Sequence, residues 1–266
     1  MSAIDEMFGS LRSQRRKAFM PFITAGDPDL EFTADVLVEL GQRGANLCEL
    51  GIPYSDPIAD GPVIQASYTR ALARHLRLAE VFEMLGRTRP KLTAPLVTMV
   101  SYAIVYRHGP ERFVAEAQAA GVAGAIVPDL LVEESEELAG ICRRADFSLV
   151  QLVTPTTPRD RALRIAEMST GFLYYVSVTG ITGERTALPA SLVENVGWLR
   201  ARTRLPICIG FGVGTAEHAR LLAPVADGLI VGSAIVRRMA EAAQRPRQQV
   251  VAEIGDFVAE LLAAMD

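Results

Sequence analysis

The sequence is short of the residues on which several chemistries depend. It has three cysteines, Cys48, Cys142 and Cys208, and no CxxC pair. An odd, sparse set with two members inside apolar runs excludes a disulfide framework and suits a reducing compartment. The three histidines, His75, His108 and His218, form no HxxxH or HExxH spacing, which leaves no transition-metal motif. Only Lys17 and Lys91 among the 27 basic residues are lysines. Both precede apolar runs, whereas Schiff-base catalysis needs a lysine inside the site. No GxxxxGK[ST] phosphate loop is present, which excludes that class of nucleotide hydrolase.

Long hydrophobic runs are missing as well. The longest uncharged stretch, residues 168–183, spans 16 residues and holds three glycines, short of the ~18 that suggest a membrane span. Asp5, Glu6, Arg12, Arg15, Arg16 and Lys17 interrupt the first twenty residues, so no signal-peptide apolar core is expected there and a cytoplasmic location is. With 27 Lys+Arg against 31 Asp+Glu the formal charge is −4. That balance does not suit sequence-independent nucleic-acid binding, which needs clustered cations. The one cluster, Arg237, Arg238, Arg245 and Arg247 beside Glu241, reads as a solvated helix face.

What remains is 266 residues, half of them hydrophobic, enough for a large core. Apolar β-rich runs recur at 19–24, 47–50, 96–100, 125–127, 148–153, 172–177, 207–209 and 228–231. Most are continuous rather than alternating, as in parallel strands covered on both faces. Helical patterns lie between them at 30–43, 111–120, 133–144, 158–169 and 215–222. Asp27-Pro28 and Thr157-Pro158 read as helix caps followed by proline at the first helical position. Eight such units without a linker predict an α/β fold, a single (β/α)8 TIM barrel over residues 1–266. Extra terminal helices are expected at 2–11 and 248–264. An open doubly wound sheet is the competing arrangement.

In a barrel of this kind, reactive groups sit at the C-terminal strand ends and in the loops that follow. Glu49 lies near the end of the second run, between Cys48 and Leu50. A carboxyl there is costly to bury unless it has a task or a partner. Desolvation raises its pKa toward the range useful for giving and taking a proton. The alternative is a strand-end glutamate held by a salt bridge or backbone amides. Asp60 and Asp56, in the long loop that follows, are further candidates, against an ordinary turn-forming role. Glycine-rich turns follow the sixth, seventh and eighth runs: TGITG (179–183), GFGVG (210–214) and GSA (232–234). Loops at that end, with a helix N-terminus, form a phosphate site from backbone N–H groups. These residues predict carboxylate acid/base chemistry on a phosphorylated small molecule, with neither metal nor Schiff base.

The segment CELGIPYSDPIADGPVIQ (48–65) resembles the signature of the tryptophan synthase α chain family. Agreement extends through AFMPFITAGDP, IVPDL, LVTPTTP, FLYYVSVTGITG, GFGVG and GLIVGSAIV. The resemblance implies a (β/α)8 lyase that cleaves indole-3-glycerol phosphate to indole and glyceraldehyde 3-phosphate by a retro-aldol reaction. It implies Glu49 as general acid/base, Asp60 facing the indole N–H, and Tyr174 beside them as catalytic residues. Gly183, Phe211, Gly212, Gly232 and Ser233 match the phosphate-binding positions, and Thr182 matches a mobile-loop threonine. Phe22, Met99, Ile126 and Val153 match the indole pocket, and Pro53 and Asp56 the interface with a β subunit. That partner, in an αββα heterotetramer, would carry the pyridoxal phosphate; this chain is expected to need no cofactor and no metal. Three positions depart from the family pattern: Ser101 replaces a tyrosine, Ala103 an asparagine and Ile104 a proline. Leu131 and Val132 also stand where prolines are frequent. The departures near 101–104 raise two alternatives, a stand-alone lyase and a weakly catalytic module that activates a partner. A different phosphosugar isomerase is a third.

Overall fold

A computed structural model describes residues 2–58, 60–177, 188–210 and 212–265. Its strands are β1 (Ala18–Thr24), β2 (Cys48–Gly51), β3 (Leu96–Met99), β4 (Val122–Ile126), β5 (Ser148–Val150), β6 (Leu152–Val153), β7 (Leu173–Val176), β8 (Ile207–Gly210) and β9 (Gly228–Val231). They pair in the order β5-β4-β3-β2-β1-β9-β8-β7-β6, and every pairing is parallel. The two ends of that order, β5 and β6, are separated only by Gln151. They are one interrupted strand, so the sheet closes on itself as a barrel. The fifth expected run is therefore real but broken, and the open-sheet alternative is excluded.

Side-chain alternation along the strands sorts the core into two layers. Met20, Val97, Ile126, Val150, Tyr174, Cys208 and Ile230 point inward and pack together. Ile23, Leu50, Leu149, Leu173, Tyr175, Ile209 and Leu229 point outward beneath the helices. Helix Ala3–Ser13 brings Ile4, Phe8 and Leu11 onto the inner layer beside Ala18, Leu47 and Phe172. Those three lie at strand beginnings, so this helix plugs the N-terminal end of the barrel. Ser2 caps it through Asp5, and the Ser2 hydroxyl also meets the Ser148 hydroxyl at 2.9 Å. The opposite end is left for chemistry.

Two helix starts differ from the sequence expectation. Helix Leu30–Gln42 begins after Asp29, whose side chain accepts from the Phe32 N–H. Asp27 is instead fully buried, and Arg70 donates to both of its oxygens at 2.8 and 2.7 Å. Helix Arg159–Met168 begins after Pro158, while the Thr157 hydroxyl accepts from the Thr154 N–H. His75, expected on a helix, sits in a turn at φ +57°. The expected arginine cluster is partly paired: Arg245 binds Glu241 and Glu253, and Arg247 binds Asp29. Among the described residues no helix is long and apolar enough to cross a membrane.

Candidate active site

Glu49 is on the inward-facing set of β2, in register with Phe22 of β1 and Val97 of β3. It is 1% exposed, and among the described residues neither carboxyl oxygen has a hydrogen-bond partner. Among the described residues neither the salt bridge nor the amide cradle that would make it a structural residue is present. Burial, with a smaller contribution from the nearby Asp60 charge, pushes its pKa up to about 8. At neutral pH the side chain is a carboxylic acid that can donate a proton and take one back.

Asp60 closes the loop after β2, just before helix Pro62–Leu72. The turn is held without its carboxylate. The Asp60 N–H donates to the Pro57 carbonyl at 3.1 Å, and the Gln65 amide donates to the Asp60 carbonyl at 2.8 Å. Among the described residues no hydrogen bond or ion pair engages the carboxylate itself. Partial burial moves its pKa above the ordinary aspartate value. It therefore has capacity to spare for a ligand.

Tyr174 points inward from β7, level with Leu152 on β6 and Cys208 on β8. Burial, then the charges of Glu49 and Asp60, raises its phenol well above the ordinary value. The three groups thus share one low-dielectric region at the C-terminal strand ends.

Phe22, Met99 and Ile126 line or border this interior; Phe22 packs with Ile64, Tyr68 and Val236, and Met99 touches both inner clusters. Val153 lies elsewhere, in the outer layer beneath the helices. The neighbouring Leu152 is the inward residue, because adjacent strand positions face opposite sides.

Two of the three glycine-rich turns fall largely within the described residues. Gly212 follows β8 at φ +80°, and its carbonyl lies 3.0 Å from His218 Nδ1. Gly232 caps helix Ser233–Met239 after β9, and Ser233 is exposed. A Cβ on Gly214 would come within 3.8 Å of the Ala234 Cβ, so the two turns lie side by side. Thr182, Gly183 and Phe211 lie outside the described residues.

Of the two expected partner-contact residues, Asp56 is exposed and accepts from the Ser55 hydroxyl at 2.9 Å, whereas Pro53 is buried. Ser101, at the departure from the family pattern, caps helix Tyr102–His108 by accepting from the Ala103 N–H. It also donates to Asp129 at 2.7 Å, and the Tyr102 N–H donates to the other Asp129 oxygen at 2.7 Å. Ile104 packs against the outer core. Leu131 is exposed and Val132 buried. His108, from the same helix, binds Glu116 at 2.8 Å and takes no part in the site. Lys17 and Lys91 lie before β1 and β3, at the far end of the barrel. Among the described residues no group of three or more His, Cys, Asp or Glu side chains could hold a metal ion.

Sequence reasoning missed Tyr68. It is 1% exposed, its hydroxyl has no hydrogen-bond partner, and it packs on Phe22. The available signal was the stripe Ile64, Tyr68, Ala71 on the helix that Asp60 introduces.

Comparison with known proteins gives a consistent result. The family model described as tryptophan synthase alpha chain matches residues 8–265. The tryptophan synthase alpha chain of Rhodopirellula baltica is 59% identical, with 100% of this chain and 99% of the relative covered. That of Gloeobacter violaceus is 47% identical over 94% of this chain and 91% of its own length. Among solved structures, tryptophan synthase subunit alpha from Legionella pneumophila superposes with a TM-score of 0.90 at 33% identity, covering 100% of this chain and 99% of that one. A chain of the Pyrococcus furiosus tryptophan synthase complex superposes with a TM-score of 0.83 at 37% identity, covering 92% and 98%.

Proposed function

The chain belongs to the tryptophan synthase alpha chain family, lyases that cleave indole-3-glycerol phosphate in tryptophan biosynthesis, and from that premise we propose how its own residues carry the reaction. The observation that carries this reading is Glu49: a carboxyl buried at the C-terminal strand ends with no hydrogen-bond partner among the described residues, its pKa pushed up by burial to about 8. Indole C3 takes the Glu49 proton, which places positive charge on the ring and its nitrogen. The Asp60 carboxylate stabilises that charge across the N–H. The bond from C3 to the glycerol carbon then breaks as the hydroxyl on that carbon yields its proton to Glu49. One proton has gone onto C3 and one has come off oxygen, so Glu49 ends as it began. The products are indole and glyceraldehyde 3-phosphate.

Tyr174, buried in the inner layer and within electrostatic reach of both carboxyls, adds to the wall around them. Phe22, Met99 and Ile126, with Leu152 rather than Val153, hold the indole ring. Backbone N–H groups at Gly212, Gly232 and Ser233 receive the phosphate, together with Phe211, Gly183 and the closing Thr182. The phosphate needs no lysine there, because amide N–H groups and the helix end supply the positive potential.

The partner is a tryptophan synthase β subunit in an αββα assembly, reached through Asp56 and the loop that Pro53 anchors. Pyridoxal phosphate belongs to that subunit, and this chain works without a cofactor of its own in the cytoplasm. Residues 1–266 act as one domain: β1 from the start of the chain pairs β9 from its end.

Indole release from indole-3-glycerol phosphate by the purified chain, alone and with a titrated β subunit, tests the reading. Slow release that rises strongly on addition is expected. A chain that releases no indole under either condition would overturn it. Fast release indifferent to the β subunit would favour a stand-alone lyase, the alternative that the Ser101 and Ala103 departures bring forward.

A further inference from the structure

Tyr68 has a buried hydroxyl with no hydrogen-bond partner among the described residues. Such a group costs free energy unless something else uses it. Three features of its surroundings say where it points. A Cβ on Gly51 would lie 2.7 Å from the Tyr68 Oη and 2.5 Å from the tip of the Phe22 ring. Gly51 is two residues beyond Glu49 on the same strand, so it shares the inward face. The space its missing side chain leaves, directly above Glu49, is therefore where the Tyr68 hydroxyl enters. The Tyr54 ring, 5.6 Å away and tilted at 56°, braces the phenol from the loop side. The charged and titratable groups it senses are, strongest first, Asp60, Tyr54 and Glu49.

Next to β2, the Ser101 hydroxyl after β3 is committed to Asp129. Among the described residues no side chain donates to the Asp60 carboxylate.

We infer that Tyr68 is a positioning residue for the lyase reaction: its hydroxyl, admitted by Gly51, donates to the Asp60 carboxylate in the substrate-loaded site. This rests on the proposed role of Asp60. The bond fixes the carboxylate facing the indole N–H and favours its charged form.

The test is Tyr68→Phe in the full chain, assayed with the β subunit present. The ring and its packing stay, and only the hydroxyl goes. Losing one hydrogen bond to a charged group predicts a drop of about 10- to 100-fold in kcat/KM. The drop should fall mainly on kcat, because Asp60 meets charge that develops only in the transition state. The acid limb of the kcat/KM profile should move to higher pH, since the donor that favoured the Asp60 carboxylate is gone. The melting temperature should hold or rise, because a hydroxyl without a partner has no bond to lose. Unchanged kcat/KM with an unmoved acid limb would overturn the inference while leaving the lyase assignment intact. A lowered melting temperature would overturn it too, by showing that the hydroxyl already had a structural partner. A wild-type chain without lyase activity would remove the functional reading and this inference with it.

Discussion

Gly210 leaves the space that the Tyr174 phenol fills: a Cβ on Gly210 would lie 2.3 Å from the Tyr174 hydroxyl oxygen. The two face the barrel interior from neighbouring strands, β8 and β7. Gly51 does the same for Phe22 and Tyr68 on the opposite side of the mouth. Strand-end glycines here therefore make room for aromatic rings around the two carboxyls. Gly210→Ala should displace Tyr174, cost about 1–3 kcal/mol by overpacking, and lower kcat/KM for indole release. Thermal unfolding and steady-state kinetics of that variant check it; a variant with wild-type values in both would refute the packing account.

Glu49→Gln should fold and lose lyase activity by about 100-fold to 10,000-fold, the range for a lost general acid/base group. The amide keeps the shape of the side chain but cannot exchange the two protons that the cleavage needs. Indole release by the variant is the readout, and near wild-type turnover would remove Glu49 from its role.

The same residue makes stability depend on pH. Unfolded, Glu49 ionises near its ordinary value of 4.5; folded, it holds its proton up to about 8. Between those values the folded state binds the extra proton, so stability falls as pH rises through that window. Glu49→Gln lacks the burden. Melting temperatures should therefore decline more steeply for the wild type than for the variant between pH ~5 and ~8. Parallel curves would mean that Glu49 is already charged in the folded chain.

Asp129 bridges the Ser101 hydroxyl and the Tyr102 N–H. Asp129→Ala should lower stability by about 1–2 kcal/mol, as for a lost helix cap, and loosen helix Tyr102–His108. Because Asp129 touches none of the three proposed catalytic groups, indole release by the isolated chain should be kept. A large loss of that basal activity would show that the Ser101–Asp129 pair reaches the site.

The strands were legible because parallel strands buried on both faces are continuously apolar. Their inward and outward residues were not, for the same reason: an unbroken apolar run carries no alternation. The family resemblance puts Val153 in the indole pocket, whereas Leu152 faces the interior. Gln151, buried with an unpartnered amide nitrogen, is where the run breaks into two. Glu49 stood out as one charge in an apolar strand, and the structure adds that nothing neutralises it. Asp60 was visible through the loop motif, but its spare hydrogen-bonding capacity was not. Tyr68 was hidden because a tyrosine on a helical stripe looks like ordinary core. Only the absence of a hydroxyl partner separates it from one.

The central claim is that Glu49 is a neutral acid in the folded protein at physiological pH. Infrared difference spectra of wild type against Glu49→Gln, taken across a pH titration, read this directly from the carbonyl stretch of a protonated carboxyl. The account predicts a band unique to the wild type that persists through neutrality and is lost around pH 8. A band already gone by pH ~6 would mean an ionised Glu49 with no proton to give, and would contradict the mechanism.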